Sequence, residues 1–86
     1  MIAQTKDKNP NLQQRLQLFM HVLCADWGFC LPPEDVERIS SLRPLTSDQF
    51  AIEVLRAEGF IPENEAQWRR KLRHRFSDQF GSEVIR

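Results

Sequence analysis

The glycines and prolines divide this chain into segments, because each of them stands where a helix would end or begin. The glycines follow runs of periodic apolar residues, at the position where a left-handed residue closes a helix: Gly28, Gly59 and Gly81. The prolines stand at or just before the next run, where a missing backbone N–H costs little: Pro10, Pro32, Pro33, Pro44 and Pro62. This pattern predicts four helices with short connections.

The first half of the chain predicts a long helix followed by a short one. Asn9 as N-cap and Pro10 as first helical residue begin a helix that runs to about Trp27. Its apolar residues recur at helical spacing on one face: Leu12, Leu16, Phe19, Met20, Leu23 and Trp27. A second apolar strip lies on nearly the opposite side: Leu18, Val22 and Ala25. The short helix, about 33–42, carries carboxylates in its first turn, where the helix dipole favours negative charge.

The third helix has the clearest start. Thr46 followed by Gln49 forms a capping box, and Leu45 with Phe50 forms a hydrophobic staple across it. The fourth helix is predicted over about residues 63–80, where large apolar residues repeat every fourth position: Trp68, Leu72, Phe76 and Phe80.

These segments predict an all-α fold: a compact four-helix domain with a short second helix, crossed packing and no strands. We expect crossed packing because the helices differ in length and their links contain proline. Residues 1–8 are polar and predict a flexible N-terminus, 9–81 form a single helical domain, and 82–86 are a C-terminal tail. Within that tail, Val84 and Ile85 either pack on the domain or stay loose.

No apolar run approaches the ~18 residues of a membrane span. Met1 to Asn11 are polar and lack the apolar region of a signal peptide, so we expect a cytoplasmic protein that does not engage membranes. The two cysteines, Cys24 and Cys30, are too few for a disulfide scaffold. Their simplest interpretation is as small buried apolar residues.

Metal binding and catalysis are both weakly indicated. His21, Cys24 and Cys30, with His74 from the fourth helix, could form a metal site, but the paired Cys-x-x-Cys spacing of structural zinc is missing. The sequence has no glycine-rich phosphate loop, and a chain this short has little room for an enclosed pocket. We therefore predict no bound metal, no cofactor and no enzyme activity.

Charge is distributed unevenly along the chain. Residues 34–65 carry three basic and eight acidic side chains, a net charge of −5, whereas residues 66–86 carry six basic and two acidic ones, a net charge of +4. Either these segments pack against each other, or they form surfaces for different partners. The basic cluster of the fourth helix consists of Arg69, Arg70, Lys71, Arg73, His74 and Arg75.

The function that this pattern favours is a small protein-interaction module: an adaptor, an inhibitor or a regulatory subunit. We expect a partner with an acidic or phosphorylated surface, bound by the basic helix and by apolar surface on the first helix. The partner-binding candidates are Trp27, Phe29, Trp68, Arg69, Arg70, Arg73 and His74. A homodimer through the first helix would cover its second apolar strip: Leu18, Val22 and Ala25. The alternative function is a nucleic-acid-binding regulator that uses the basic helix 63–80.

Overall fold

The computed structural model describes residues 12–86, and these residues form four α-helices with short connections. The helices are α1 (Leu12–Trp27), α2 (Pro33–Ser40), α3 (Ser47–Ala57) and α4 (Ala66–Phe80). A 3₁₀ turn, Pro62–Asn64, precedes α4. The predicted all-α fold, with its short second helix, is confirmed. The predicted N-cap Asn9, the first helical residue Pro10 and the flexible segment 1–8 lie outside the described residues.

The core is formed where one face of each helix meets the others. Phe50 of α3 stands at its centre, with its ring centroid 5.5 Å from that of Phe19 on α1 and 5.1 Å from that of Phe76 on α4. Tilted ring pairs at these distances add to the stabilisation that burial alone provides. Aliphatic residues with little or no exposed surface fill the space around the rings: Leu16, Leu23, Ile39, Leu45, Val54, Leu55 and Leu72.

Both ends of α3 are closed as the sequence predicts. The Thr46 hydroxyl accepts a hydrogen bond from the backbone N–H of Gln49 at 3.0 Å. At the other end Gly59 has a φ of 89°, and the N–H of Phe60 reaches back to the carbonyl of Leu55 at 2.9 Å. This arrangement is a Schellman motif, which requires a left-handed residue and therefore favours glycine.

Replacement of Thr46 by alanine removes the side-chain acceptor and leaves the Gln49 N–H without its capping partner. We expect the free energy of unfolding to fall by about 1 kcal/mol, and the melting temperature by about 4–8 °C. Thermal unfolding followed by circular dichroism measures both. Thr46→Ser retains the hydroxyl and serves as the control. Equal melting temperatures for the two variants would show that the cap contributes nothing.

A short antiparallel ladder joins the chain end to the start of α3, which the prediction of no strands missed. Strand β1 (Leu45–Thr46) pairs with β2 (Val84–Ile85), and Leu45 lies opposite Ile85. Ile85 is only 6% exposed, so the segment 82–86 packs on the domain. A strand of two residues shows no periodicity, and its partner is distant in sequence, so the pattern carried no signal for this pairing.

The structure corrects the interpretation of the cysteines as small buried residues. Cys24 and Cys30 form a disulfide, with their Cα atoms 4.4 Å apart, and Cys30 is exposed. The bond forms because Gly28, with a φ of 81°, turns the chain at the end of α1 and returns Cys30 beside the last turn of that helix.

The disulfide also separates the residues of the candidate metal site. Cys24 and Cys30 are bonded to each other, whereas His21 lies beside α2 and His74 lies on the exposed side of α4. Within residues 12–86, no group of three or more histidine, cysteine, aspartate or glutamate side chains could hold a metal ion. A search of the same residues finds no helix with the length and hydropathy to cross a membrane.

Candidate partner-binding surface

The fourth helix separates its apolar and basic residues onto different sides. Leu72 and Phe76 are fully buried, and they fix which side of α4 faces the core. On the outer side, successive turns expose basic residues to solvent: Arg70, Lys71, Arg73 and His74. The predicted basic face therefore exists as a surface, although two of the basic residues at its edges are used within the fold.

Those two residues are Arg69 and Arg75. Arg69 Nη2 donates to both carboxylate oxygens of Asp48 on α3, at 3.0 and 3.3 Å. Arg75 Nη2 donates to Asp26 Oδ2 on α1 at 2.5 Å. Arg69 thus contributes to the fold, as does Arg75. Asp48 thereby links α4 to the acidic segment 34–65, and Arg73 Nε lies 4.0 Å from the same carboxylate.

The acidic segment also neutralises part of its charge internally. Arg38 on α2 donates to Glu53 on α3 at 2.8 Å and to Asp35 on its own helix at 3.2 Å. The hydrogen bond with Glu53, followed by that with Asp35, raises the pKa of the Arg38 guanidinium. These contacts link α2 to α3. Asp35 and Glu53 pair with Arg38 and not with the basic residues on the outer face of α4.

A cleft of about 200 Å³ opens on the outer face of α4. Its lining residues are Arg70, Arg73, His74, Ser77, Asp78 and Glu83. Arg70, His74 and Ser77 share one helical face because they are three or four positions apart. The cleft has mixed charge, since the carboxylates of Asp78 and Glu83 lie among its basic side chains.

Ser77 contributes a polar atom without a partner to this cleft. Its Oγ is buried, and it makes no hydrogen bond with any residue in the described range. A buried hydroxyl without a partner costs about 1–3 kcal/mol, so this side chain lowers the stability of the fold. Nothing in the sequence singled out Ser77, although its spacing of seven from Arg70 would have placed it on the same face.

An aromatic cluster lies at the N-terminal end of α4. The Trp68 ring makes edge contacts with Phe29 at 5.0 Å and with Trp27 at 5.6 Å, and Phe29 also contacts Phe60 at 6.4 Å. Phe29 was predicted as an aromatic anchor for the partner, but this side chain is only 5% exposed and packs within the fold. The turn at the end of α1 directs Phe29 inward, against Trp68.

The exposed part of the cluster consists of residues that the predicted site omitted. Phe60 is 42% exposed and Ile61 is 59% exposed, in the connection between α3 and α4. The two tryptophans are half-buried, and cations lie over both rings: Lys71 Nζ is 4.9 Å from the Trp68 centroid, and Arg75 Cζ is 4.8 Å from that of Trp27. The apolar patch is therefore bordered by basic side chains.

The residues of the predicted site thus fall into three groups. Arg70, Arg73 and His74 come together at the cleft. Trp27 and Trp68 belong to the aromatic cluster at the N-terminal end of α4, whereas Arg69 and Phe29 are used within the fold. The dimer candidates occupy a separate surface on α1, where all three are exposed: Leu18, Val22 and Ala25.

We compared the chain with models of protein families, with curated proteins and with solved structures, and none of them matches it. The function is therefore inferred from the surfaces of this chain alone, and in particular from the face that α4 presents to solvent.

Proposed function

We propose that this protein is a small non-enzymatic interaction module that binds a protein partner through the outer face of α4. In that role it acts as an adaptor, an inhibitor or a regulatory subunit. The observation that carries the proposal is the cleft on the outer face of α4, which Arg70, Arg73 and His74 line together. An acidic or phosphorylated side chain of the partner supplies acceptors for the guanidinium groups of Arg70 and Arg73.

The charges in the cleft favour a protein over a nucleic acid. Asp78 and Glu83 line the same cleft as the arginines, and Asp48 accepts hydrogen bonds from Arg69. A nucleic-acid backbone is uniformly negative and would be repelled by these carboxylates. A protein surface can present an anion to the arginines and a cation to the carboxylates, so it matches a mixed cleft better.

The aromatic cluster supplies the apolar part of the proposed interface. Phe60 and Ile61 are exposed, and Trp68 is half-buried at the N-terminal end of α4. Binding energy at protein interfaces concentrates in tryptophan, tyrosine and arginine side chains that a partner desolvates. Because Trp68 and Arg70 lie on different sides of α4, the partner would reach around the helix, packing an apolar residue on this cluster while an acidic one enters the cleft.

The test is charge reversal on the outer face of α4. Because Arg70 and Arg73 are exposed, Arg70→Glu with Arg73→Glu should leave helicity and melting temperature nearly unchanged. We expect at least a tenfold loss of partner binding, measured by affinity capture from lysate with quantitative mass spectrometry. The matched control, Arg56→Glu with Arg86→Glu, makes the same change in net charge at exposed positions outside the cleft.

Treatment of half of each lysate with nuclease separates the two candidate functions. A protein that survives nuclease treatment and is lost only with the α4 variant supports the proposal. A partner retained equally by both variants would contradict it. Loss of all bound material on nuclease treatment, with binding that falls steeply as salt rises, would instead support the nucleic-acid-binding alternative.

A cytoplasmic location is also part of the proposal, and the disulfide is the observation that argues against it. Disulfides persist in oxidising compartments and are rare in the cytoplasm. Thiol labelling of the protein taken directly from its own cells decides the matter. Free Cys24 and Cys30 in that material support the cytoplasmic location, and fully bonded cysteines contradict it.

A further inference from the structure

The outer face of α1 carries apolar side chains that nothing in the described part of the chain covers. Leu18 is 65% exposed, Val22 is 44% exposed, and Ala25 is exposed as well. With Arg15 they are spaced three, four and three residues apart, which is the spacing of a helix-pairing seam. The seam is on the opposite side of α1 from the core residues Leu16, Phe19, Met20 and Leu23.

A groove beside this seam provides a place for the side chains of another helix. It has a volume of about 280 Å³ and lies between α1 and the end of α4. Its lining residues are Arg15, Leu18, Phe19, Val22 and Gln79. A leucine or valine side chain from a facing helix could enter such a groove as a knob enters a hole.

We propose that this face binds a second copy of the same chain, with the two α1 helices antiparallel. The charges at the ends of the seam are complementary in this arrangement, since Arg15 lies at one end and Asp26 at the other. When Leu18 faces Val22 of the second copy, Arg15 lies beside Asp26 of that copy. The two-fold symmetry of a homodimer forms this pair twice.

The charges select the antiparallel arrangement over the parallel one. In a parallel pair Arg15 would face Arg15 and Asp26 would face Asp26, with the helix dipoles also aligned unfavourably. Both side chains are accessible in the monomer: Arg15 lies over the Phe80 ring at 5.3 Å, and Asp26 uses only Oδ2 in its hydrogen bond with Arg75. Asp26 Oδ1 can therefore accept from the second copy.

The proposed interface is small. One pair of helices buries less than the ~1,200–2,000 Å² of a stable protein interface, so association should be reversible and depend on concentration. Sedimentation velocity of the full chain at about 10 µM to 1 mM, the range suited to such weak pairing, should show the average mass rising from 10.2 kDa toward the dimer. A constant monomer mass across this range would overturn the proposal.

Two sets of variants test the seam and the register. Leu18→Glu and Val22→Glu should remain monomeric at every concentration, while their melting temperatures stay close to that of the wild type because both positions are exposed. Arg15→Asp alone and Asp26→Arg alone each place like charges together in the antiparallel dimer. Each should weaken self-association at least tenfold. Because Asp26→Arg also removes the ion pair with Arg75 inside the monomer, Arg75→Gln is its control and should self-associate like the wild type.

The charge-swapped double variant, Arg15→Asp with Asp26→Arg, restores opposite charges between antiparallel copies and should associate within about threefold of the wild type. Single variants that associate as well as the wild type would overturn the antiparallel register. Arg70→Glu with Arg73→Glu should self-associate normally, because the α4 cleft is a separate surface. Failure of this proposal is therefore distinguishable from failure of the proposed function.

Discussion

Replacing Phe76 by alanine should lower the free energy of unfolding by about 3–5 kcal/mol, which is the cost of removing a buried phenylalanine side chain. The Phe76 ring is fully buried and contacts the rings of Phe50 and Phe80, each at 5.1 Å. It also lies 6.5 Å from the ring of Phe19. These contacts join α4 to α1 and α3. Urea unfolding followed by circular dichroism measures the loss.

The size of this effect matters because a domain of 86 residues has little stability to lose. The free energy of unfolding of a native protein is typically about 0.05–0.15 kcal/mol per residue. Phe76→Ala would therefore remove a large share of the free energy of unfolding of this domain. Phe60→Ala is the control, since it removes the same ring from a side chain that is 42% exposed. We expect it to cost less than about 1 kcal/mol. Equal losses at the two positions would contradict the described core.

The features that the sequence predicted correctly depend on local pattern. The buried positions of α4 followed from a repeat of large apolar residues every fourth position, because that spacing keeps them on one side of a helix. The start of α3 followed from Thr46 and Gln49, whose capping interaction lies within one turn. Neither feature requires knowledge of what lies across the fold.

The features that the sequence missed depend on contacts between distant residues. Leu45 and Ile85 pair from separate parts of the chain, so neither short segment could be recognised as a strand by itself. Likewise, the pattern of α4 places cations around its polar side without showing that Arg69 meets Asp48 while Arg70 lines the cleft. The candidate site was therefore predicted as a helix face, and only the structure divides that face into residues used within the fold and residues free for a partner.

Phe29 shows how a local turn can bury a side chain that the sequence predicts at an interface. It was predicted as an aromatic anchor, but the turn at Gly28 brings the Phe29 ring against Trp68. The exposed apolar residues of this region are Phe60 and Ile61, after the C-cap of α3. Whether a side chain between two helices is buried depends on where those helices lie in the fold. The spacing of apolar residues along the sequence does not show this.

Reduction of the disulfide between Cys24 and Cys30 should lower the free energy of unfolding by about 2 kcal/mol. The two cysteines are six residues apart, and the loop-closure entropy that a bond of this span removes from the unfolded chain has about that value. The melting temperature should fall by about 8–16 °C. Thermal unfolding with and without a phosphine reductant measures the shift.

The bond also holds the segment that carries Phe29, whose ring packs on Trp68 at 5.0 Å. Reduction should therefore change the tryptophan fluorescence of the folded protein as well as its stability. Cys24→Ser with Cys30→Ser is the matched control: it should melt at the temperature of the reduced wild type and show no response to the reductant. If the wild type is equally unresponsive, then the two thiols are not bonded, and the end of α1 is held by the packing of Phe29 alone.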